Sequence, residues 1–355
     1  MPGVRRWQEI PPDVLAVLRH GTVIPAHLLA LDARRRLDAR RQRALTRYYL
    51  DAGAGGIAVG VHATQFAIRE VGLYEPVLKL AVDAVAEWAN RSIVLIAGLA
   101  GGTGQARREA EIARELGYHA GLLSLGALRG ASEDELVAHC RAVAEVMPLV
   151  GFYLQPAVGG IELSAGFWRR FAEIENAVAI KVAPFNRYRT LDVVKGVVAA
   201  RAEERVTLYT GNDDHIVPDL ATPFVVKRDG TDVAVRIKGG LLGHWSVWTK
   251  SAVELLEKLH AAADRGAVAP ELLALDAKVT DANGAFFDVA HGFAGCIAGC
   301  HEVLRRQGLF AGTWCLDPNE GLSAGQAEEI TRVTAAYPEF DDTSFVRANL
   351  ERWLA

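Results

Sequence analysis

The chain has 355 residues, of which 50% are hydrophobic and 23% are charged, and its formal net charge at pH 7 is −4. This length and apolar content suffice for a large buried core, and the mildly acidic, mixed charge excludes the basic surface of a nucleic-acid-binding protein. Residues 1–15 contain no apolar stretch typical of a secretory signal, and no uncharged apolar run approaches the ~20 residues of a membrane span. The four cysteines do not indicate a disulfide framework. We therefore expect a cytoplasmic protein.

Eight short apolar runs alternate with segments of helical periodicity. The runs are apolar on both faces, as parallel strands buried on both sides require. Eight such units in roughly 250 residues are typical of an α/β fold of the (β/α)8, or TIM, barrel type. An open doubly wound sheet is the main alternative, but it begins with a glycine-rich phosphate turn, and none follows Leu31. We therefore predict barrel strands within Gly21–Leu31, Gly56–Val61, Ser92–Leu99, Ala120–Leu125, Leu149–Gln155, Ala177–Ala183, Val206–Thr210 and Arg236–Gly243.

Two segments depart from this alternation. Residues 225–235 contain an Asp229-Gly230 turn between two extended runs, which predicts a β-hairpin excursion just before the eighth strand. After about residue 265 the strand patterns stop and helical patterns dominate. We expect a barrel domain over residues 1–265 and a helical C-terminal subdomain over residues 266–355.

The sixth predicted strand carries a single lysine, Lys181, in an otherwise apolar run. Functional side chains of a (β/α)8 barrel lie at the carboxyl ends of the strands. Burial lowers the pKa of a lysine, and a lowered pKa makes its amine a nucleophile for carbonyl compounds. The alternative is that Lys181 extends to the strand end and pairs with a carboxylate. The strand alone leaves both interpretations open.

Three further features follow predicted strands. Tyr153 on the fifth strand is a candidate proton carrier or an ordinary core tyrosine. The run Asp213-Asp214-His215 after the seventh strand is a weak signal for an acid/base or metal site, and a polar loop with a helix N-cap explains it equally well. Cys296 and Cys300 lie on an apolar stretch, where we expect them to pack rather than bind a metal.

The order and spacing of these motifs resemble the dihydrodipicolinate synthase / N-acetylneuraminate lyase family of class I aldolases. Members of that family combine a (β/α)8 barrel with a helical tail, and place a tyrosine in a Y-N-x-P motif on strand five and the Schiff-base lysine in an I-K motif on strand six. Tyr153–Pro156 and Ile180-Lys181 stand in those places, and Gly211 with Asp213 resembles the G-x-D of strand seven. The resemblance implies that Lys181 forms the Schiff base and that Tyr153 shuttles a proton.

The departures from the family pattern concern substrate binding. The strand-two motif G-T-T-G-E, whose hydroxyls help to hold a 2-oxo acid carboxylate, is replaced by Val61–Gln65. The synthase's arginine, which grips a second carboxylate, is replaced by Val158–Gly160, and the segment with a further relay tyrosine by Leu125–Leu128. We therefore do not expect dihydrodipicolinate synthase itself. The candidate substrate-binding groups are His62, Thr64, the amides of Gly159 and Gly160, Asp213 and His215.

By this resemblance the chain is a Schiff-base-forming lyase, of carbon–carbon (aldolase) or related carbon–oxygen type, that acts on a small 2-oxo acid or related carbonyl compound. An imine-dependent dehydratase or hydratase stays open, as do a non-catalytic ligand-binding descendant of the barrel and a metal-assisted aldolase using Asp213, Asp214 and His215. We expect no metal and no organic cofactor, because the lysine carries the chemistry. We also expect no nucleic-acid or membrane partner, and a homo-oligomer, with the tetramer as the common form in the family.

Overall fold

A computed structural model describes residues 5–355 of the chain. Residues 1–4, the first part of the segment in which no secretory signal was expected, lie outside the described residues. Eight parallel strands form a nearly closed barrel: β1 (Val23–Pro25), β2 (Gly56–Val59), β3 (Val94–Leu99), β4 (Ala120–Leu123), β5 (Leu149–Leu154), β6 (Ala177–Ala183), β7 (Thr207–Thr210) and β9 (Thr231–Leu242).

The strands pair in chain order from β2 to β7, β7 pairs with β9, and β9 pairs with β1. A single parallel bridge between Ala26 and Ala58 connects the chain after β1 to β2. Each of the eight apolar runs overlaps one of these strands, so the prediction of a (β/α)8 barrel is confirmed. The runs were readable because parallel strands covered on both faces have few polar positions.

The hairpin near residues 225–235 is continuous with the barrel. Strand β8 (Pro223–Arg228) pairs antiparallel with the first half of β9 around a turn at Asp229 and Gly230, both of which have positive φ. Such a two-residue turn matches the twist of its flanking strands. The second arm of the hairpin and the eighth barrel strand, which the sequence analysis separated, are therefore one strand of 12 residues.

Helices follow the barrel strands and then form the C-terminal part of the chain. The helices that precede or follow barrel strands are α1 (Pro12–His20), α2 (Ala39–Ala52), α3 (Tyr74–Trp88), α4 (Thr103–Glu115), α5 (Glu133–Ala144), α6 (Ala165–Ala172), α7 (Arg187–Ala199), α8 (Ile216–Ala221) and α9 (Thr249–Asp264). The later helices are α10 (Pro270–Leu273), α11 (Leu275–Phe286), α12 (Cys296–Gln307), α13 (Gln326–Ala336) and α14 (Thr343–Leu354). Within residues 5–355, none of the helices is both long and apolar enough to cross a membrane.

The core has two layers, and adjacent residues of one strand contribute to different layers. The first cluster fills the barrel interior with side chains such as Ile24, Ile96 and Phe152. The second lies between the strands and the surrounding helices and includes Tyr153 and Trp168. Because successive side chains of a strand point to opposite faces, Phe152 points into the barrel and Tyr153 points out of it.

The two ends of the barrel are covered differently. Helix α1 closes the amino-terminal end, where Val14 and Leu18 join the interior cluster and the Tyr209 hydroxyl donates to the Leu18 carbonyl at 2.7 Å. The C-terminal helices cover the carboxyl end. The buried Asp342 at the start of α14 connects this helix to α2 and α12, because it accepts hydrogen bonds from the Tyr48 hydroxyl at 2.6 Å and from Nε2 of Gln307 at 2.8 Å.

Candidate active site

Lys181 lies on the interior face of β6, near the carboxyl end of the barrel. It stands in register with Phe152 on β5 and Tyr209 on β7, and only 9% of its surface is exposed. Its side chain passes over Gly211, where an added Cβ would lie 2.6 Å from the lysine Cε. Glycine at position 211 therefore leaves the space that the Lys181 side chain occupies.

The Lys181 amine is electrostatically unusual. Burial lowers its pKa to about 8, and the charge of Asp213 partly opposes that shift. Its Nζ lies 4.6 Å from the centre of the Phe152 ring, and it forms no salt bridge within 4.0 Å to any carboxylate of residues 5–355. The structure therefore does not support the alternative in which Lys181 extends to the strand end and pairs with a carboxylate. A lysine in this state is partly neutral near neutral pH and can act as a nucleophile.

Asp213 is the second ionisable group of the site. It follows β7, is buried, and accepts a hydrogen bond from the His244 backbone N–H on Oδ1 at 2.8 Å. Burial raises its pKa to about 7, against the lowering effects of that hydrogen bond and of Lys181. A carboxyl group with this pKa is present in both forms near neutral pH, as a general acid/base requires.

Lys181 and Asp213 face a small cavity of about 70 Å³. A water molecule needs ~10–15 Å³ by the same kind of measure, so the cavity holds ~5–7 groups of that size. Its other polar side chains are His62 and Gln155, and its remaining walls are mainly apolar. The C-terminal part of the chain supplies much of the cover: Phe287, Phe293, Cys296, Ile297 and Cys300.

The two cysteines of α12 pack against this cavity, as the sequence analysis expected. Burial raises the pKa of Cys296 and of Cys300, so both thiols stay protonated at neutral pH. Within the part of the chain that the structure describes, no group of three or more His, Cys, Asp or Glu side chains is arranged to hold a metal ion.

His62 and Thr64 were both predicted to bind substrate, and the structure separates them. His62 is half-buried in the turn after β2 and lines the cavity, where burial and the charge of Lys181 lower its pKa to about 4. The ring is therefore neutral and offers a hydrogen bond rather than a positive charge. Thr64 is buried, and its hydroxyl donates to the His27 carbonyl at 2.6 Å and accepts from the Gly60 N–H at 2.9 Å. The prediction for Thr64 is wrong because its hydroxyl is used to join the ends of β1 and β2.

Tyr153 does not face Lys181, which corrects its predicted role as proton shuttle. It stands in register with Val182, one position beyond Lys181, and points into the layer between β5 and α6. Its hydroxyl donates to the Leu163 carbonyl at 3.2 Å and accepts from the Leu163 N–H at 3.1 Å, and its ring lies 5.4 Å from that of Trp168. Tyr153 therefore fixes the segment that leads into α6.

Three further substrate-binding predictions are corrected. The amides of Gly159 and Gly160 donate to the carbonyls of Pro156 and Gln155 within their own turn, so neither is free to bind an oxyanion. His215 precedes α8 and lies 3.8 Å from Asp276, and it is not among the residues that line the Lys181 cavity. Asp213, Asp214 and His215 therefore do not converge on one point.

Gln155 is a site residue that was not predicted from the sequence. It is 9% exposed and lines the cavity, and its carboxamide makes no hydrogen bond to another residue between 5 and 355. A polar residue at the end of the apolar run of β5 was a visible signal for it. Phe185 and Phe293, which also line the cavity, gave no such signal, because apolar residues in loops are not distinctive.

Comparisons with known proteins agree with this fold. The model of the dihydrodipicolinate synthetase family matches residues 19–224. The 4-hydroxy-tetrahydrodipicolinate synthase of Desulforudis audaxviator is 28% identical over 244 residues, which cover 68% of this chain and 79% of that protein. The enzyme of the same name from Aromatoleum aromaticum is 30% identical over 180 residues, which cover 50% of this chain and 58% of that protein.

Solved structures show the same fold at lower identity. Dihydrodipicolinate synthase from Oceanobacillus iheyensis superposes with a TM-score of 0.74 at 16% identity, covering 92% of this chain and 99% of that one. CdNal from Clostridium difficile, solved in complex with mannosamine, gives a TM-score of 0.72 at 16% identity, covering 89% of this chain and 99% of that one. The barrel and the helices that follow it are thus shared over nearly the whole of those chains.

Proposed function

This chain belongs to the dihydrodipicolinate synthetase family, and we propose that it is a lyase of class I aldolase type in which Lys181 forms a Schiff base with a small carbonyl compound. Members of the family are lyases. The observation that carries the proposal is the buried amine of Lys181, which forms no salt bridge with residues 5–355, has a pKa of about 8 and faces a small cavity at the carboxyl end of the barrel. The 2-oxo acid class that the resemblance implies fits the cavity's size.

The first half of the reaction forms the imine. The neutral amine of Lys181 adds to the carbonyl carbon, the carbonyl oxygen takes up protons, and one water molecule leaves. The carbon–nitrogen double bond that results, once protonated, accepts the electron pair of the bond between the α- and β-carbons of the substrate. This electron sink makes cleavage or formation of that bond possible without another cofactor.

We assign the proton transfers to Asp213. In the cleavage direction its carboxylate removes the proton of the β-hydroxyl group, the carbon–carbon bond breaks, and its electron pair moves to the protonated imine. The products are an aldehyde and an enamine on Lys181, which takes up a proton on carbon and is hydrolysed by one water molecule. Asp213 suits this role because it faces the same cavity, and its pKa of about 7 lets it give and take protons near neutral pH.

Two neutral side chains complete the site. His62 and Gln155 line the cavity and supply hydrogen bonds that orient the carbonyl compound. A carbon–oxygen lyase would use the same imine and the same proton carrier, with loss of water in place of cleavage. Product analysis separates the two reactions.

The proposal is tested by exchange of α-protons in D2O. An enzyme that forms an imine and then an enamine exchanges the α-protons of its carbonyl ligand with solvent, and proton NMR of small 2-oxo acids and aldehydes detects this without knowledge of the full substrate. We expect exchange with the unaltered protein and none above background with Lys181→Ala. Lys195→Ala removes an exposed lysine and serves as the matched control. Exchange that persists in Lys181→Ala, or is absent over a broad panel, would overturn the proposal.

A further inference from the structure

A larger groove adjoins the Lys181 cavity. It has a volume of about 1180 Å³ and is lined mainly by residues of α11, α13 and the segments beside them. Gln155, Phe185 and Phe293 line both the groove and the cavity. A molecule that has its reacting carbon at Lys181 and is too large for the cavity would therefore extend past these three residues into the groove.

The charges that line the groove are unbalanced. Six carboxylates and two basic residues line the groove, and both basic residues already form ion pairs with some of these carboxylates. Arg332 pairs with Asp281 and with Glu329, each at 2.9 Å. His291 lies 2.6 Å from Asp288.

The remaining carboxylates are Asp214, Asp276 and Glu328. Among the described residues, Asp214 and Glu328 have no cationic partner within 4.0 Å, and Asp276 has only His215, at 3.8 Å. Burial and neighbouring carboxylates raise the pKa of Asp214 and of Asp276, against the lowering effects of Arg187 on Asp214 and of His215 on both. A cation in the groove would further stabilise their ionised forms.

The junction between cavity and groove offers a second kind of evidence for a ligand. Gln155 is 9% exposed there, and its carboxamide has no hydrogen-bond partner among residues 5–355, so its donor and acceptor atoms are available to a ligand. The rings of Phe185 and Phe293 lie beside it with their centres 6.1 Å apart. Aromatic faces in this position attract organic cations.

The backbone at the junction is also strained. Phe185 has φ of 50° and Phe293 has φ of 72°, a region that bulky residues rarely adopt. Such conformations are unfavourable and persist where the surrounding structure imposes them. The surrounding structure therefore holds both rings at the junction, against the usual backbone conformation of phenylalanine.

We propose that the groove binds the part of the substrate that joins or leaves at the carbon–carbon bond, and that this part carries an ammonium group. The inference rests on the proposed function, because it assumes that the carbonyl carbon is held at Lys181. The three carboxylates of Asp214, Asp276 and Glu328 have no arginine or lysine partner within 4.0 Å among residues 5–355. They therefore repel a fragment that carries a carboxylate and attract one that carries a positive charge. The same preference fits the absence of an arginine from Val158–Gly160.

The test compares aldehydes of different charge, two of which have the same shape. 4-Trimethylammoniobutanal is cationic, 5,5-dimethylhexanal is its uncharged isostere, and 4-oxobutanoate is anionic. Each is incubated with the full-length protein and cyanoborohydride, and the rate of adduct formation on Lys181 is measured by peptide mass mapping. We expect the cationic aldehyde to label Lys181 ~10-fold faster than its uncharged isostere, with the anionic one slowest. High salt should reduce the difference.

Paired variants locate the preference in the groove. Asp214→Asn combined with Asp276→Asn should bring the cationic-to-neutral ratio of rates to within about threefold of unity. Asp83→Asn combined with Asp232→Asn removes the same charge elsewhere on the surface and should keep the ratio. Because the readout is a ratio within one protein, a general loss of stability does not imitate the effect.

The outcomes separate the two proposals. If the neutral isostere labels Lys181 as fast as the cationic aldehyde, or if the groove variants keep the full ratio, the groove does not select a cation and this inference fails. The Schiff-base function then stands. If no aldehyde labels Lys181 at all, the proposed function fails instead.

Discussion

Replacing Gly211 with alanine should displace Lys181 without removing any polar group from the site. The added Cβ would lie 2.6 Å from Cε of Lys181, 3.0 Å from its Cγ and 2.7 Å from Cβ of Ala183. Ordinary carbon–carbon contacts are ~3.5–4.0 Å, so the lysine stem has to move by about 1 Å. The neighbouring Ala183 is part of β6 and gives way less easily than a flexible side chain.

The size of the effect follows from this displacement. A shift of about 1 Å in a reacting group costs on the order of 100-fold in rate, and overpacking of a buried site costs ~1–3 kcal/mol of stability. We therefore expect Gly211→Ala to slow adduct formation on Lys181 by ~100-fold and to lower the free energy of unfolding by ~1–3 kcal/mol.

The assay is the rate of adduct formation between Lys181 and a small aldehyde in cyanoborohydride, at a temperature where circular dichroism shows the variant fully folded. Gly104→Ala is the matched control, since an added Cβ there meets only Nη1 of Arg108 at 3.5 Å, an ordinary contact. It should leave the rate unchanged and stabilise α4 slightly. A Gly211→Ala protein that labels within about threefold of the unaltered protein would refute the assigned position of Lys181.

Three further predictions follow from the same geometry. The rate of adduct formation should rise with pH about a midpoint near 8, because the neutral amine is the nucleophile; a rate that keeps rising past pH 10 would mean an ordinary lysine. In Asp213→Asn the midpoint should move below 8, because the negative charge that raises the pKa of Lys181 is lost. The α-proton exchange should slow ~100-fold or more. An unchanged midpoint would contradict the electrostatic interaction between Asp213 and Lys181. Tyr153→Phe should keep exchange within about threefold and lower stability by ~1–3 kcal/mol, measured by urea denaturation, because the Leu163 backbone loses its partner; a ~100-fold loss of exchange would restore Tyr153 as the proton carrier.

The fold and the position of Lys181 were predictable because both depend on local patterns. Parallel strands buried on both faces produce apolar runs, and a lysine in such a run is unusual enough to be noticed. The family motifs then identified the strand ends at which functional groups lie.

The direction of each side chain was not predictable in the same way. A strand that is apolar on both faces shows no alternation of apolar and polar residues, so the sequence does not tell which side chains point into the barrel. A shift of one residue exchanges the two faces. Tyr153 and Phe152 are such a pair: the family spacing selected the tyrosine, whereas the register places the phenylalanine opposite Lys181.

Other parts of the site depend on contacts between distant segments. The hydroxyl of Thr64 was assigned to the substrate because the sequence does not show its partner, the His27 carbonyl, which lies in the segment after β1. Phe287 and Phe293 cover the cavity only because the C-terminal helices fold back over the carboxyl end of the barrel. No local pattern in the sequence predicts those contacts.

The most direct test of the Schiff-base assignment is the location of a trapped adduct. The unaltered protein is incubated with small 2-oxo acids and aldehydes in the presence of borohydride, and peptide mass mapping identifies the modified residue. We predict one adduct per chain, on Lys181, formed at a pH where exposed lysines such as Lys195 stay unmodified. An adduct spread over surface lysines, or the absence of any adduct on Lys181 across the panel, would contradict the proposed role of this lysine.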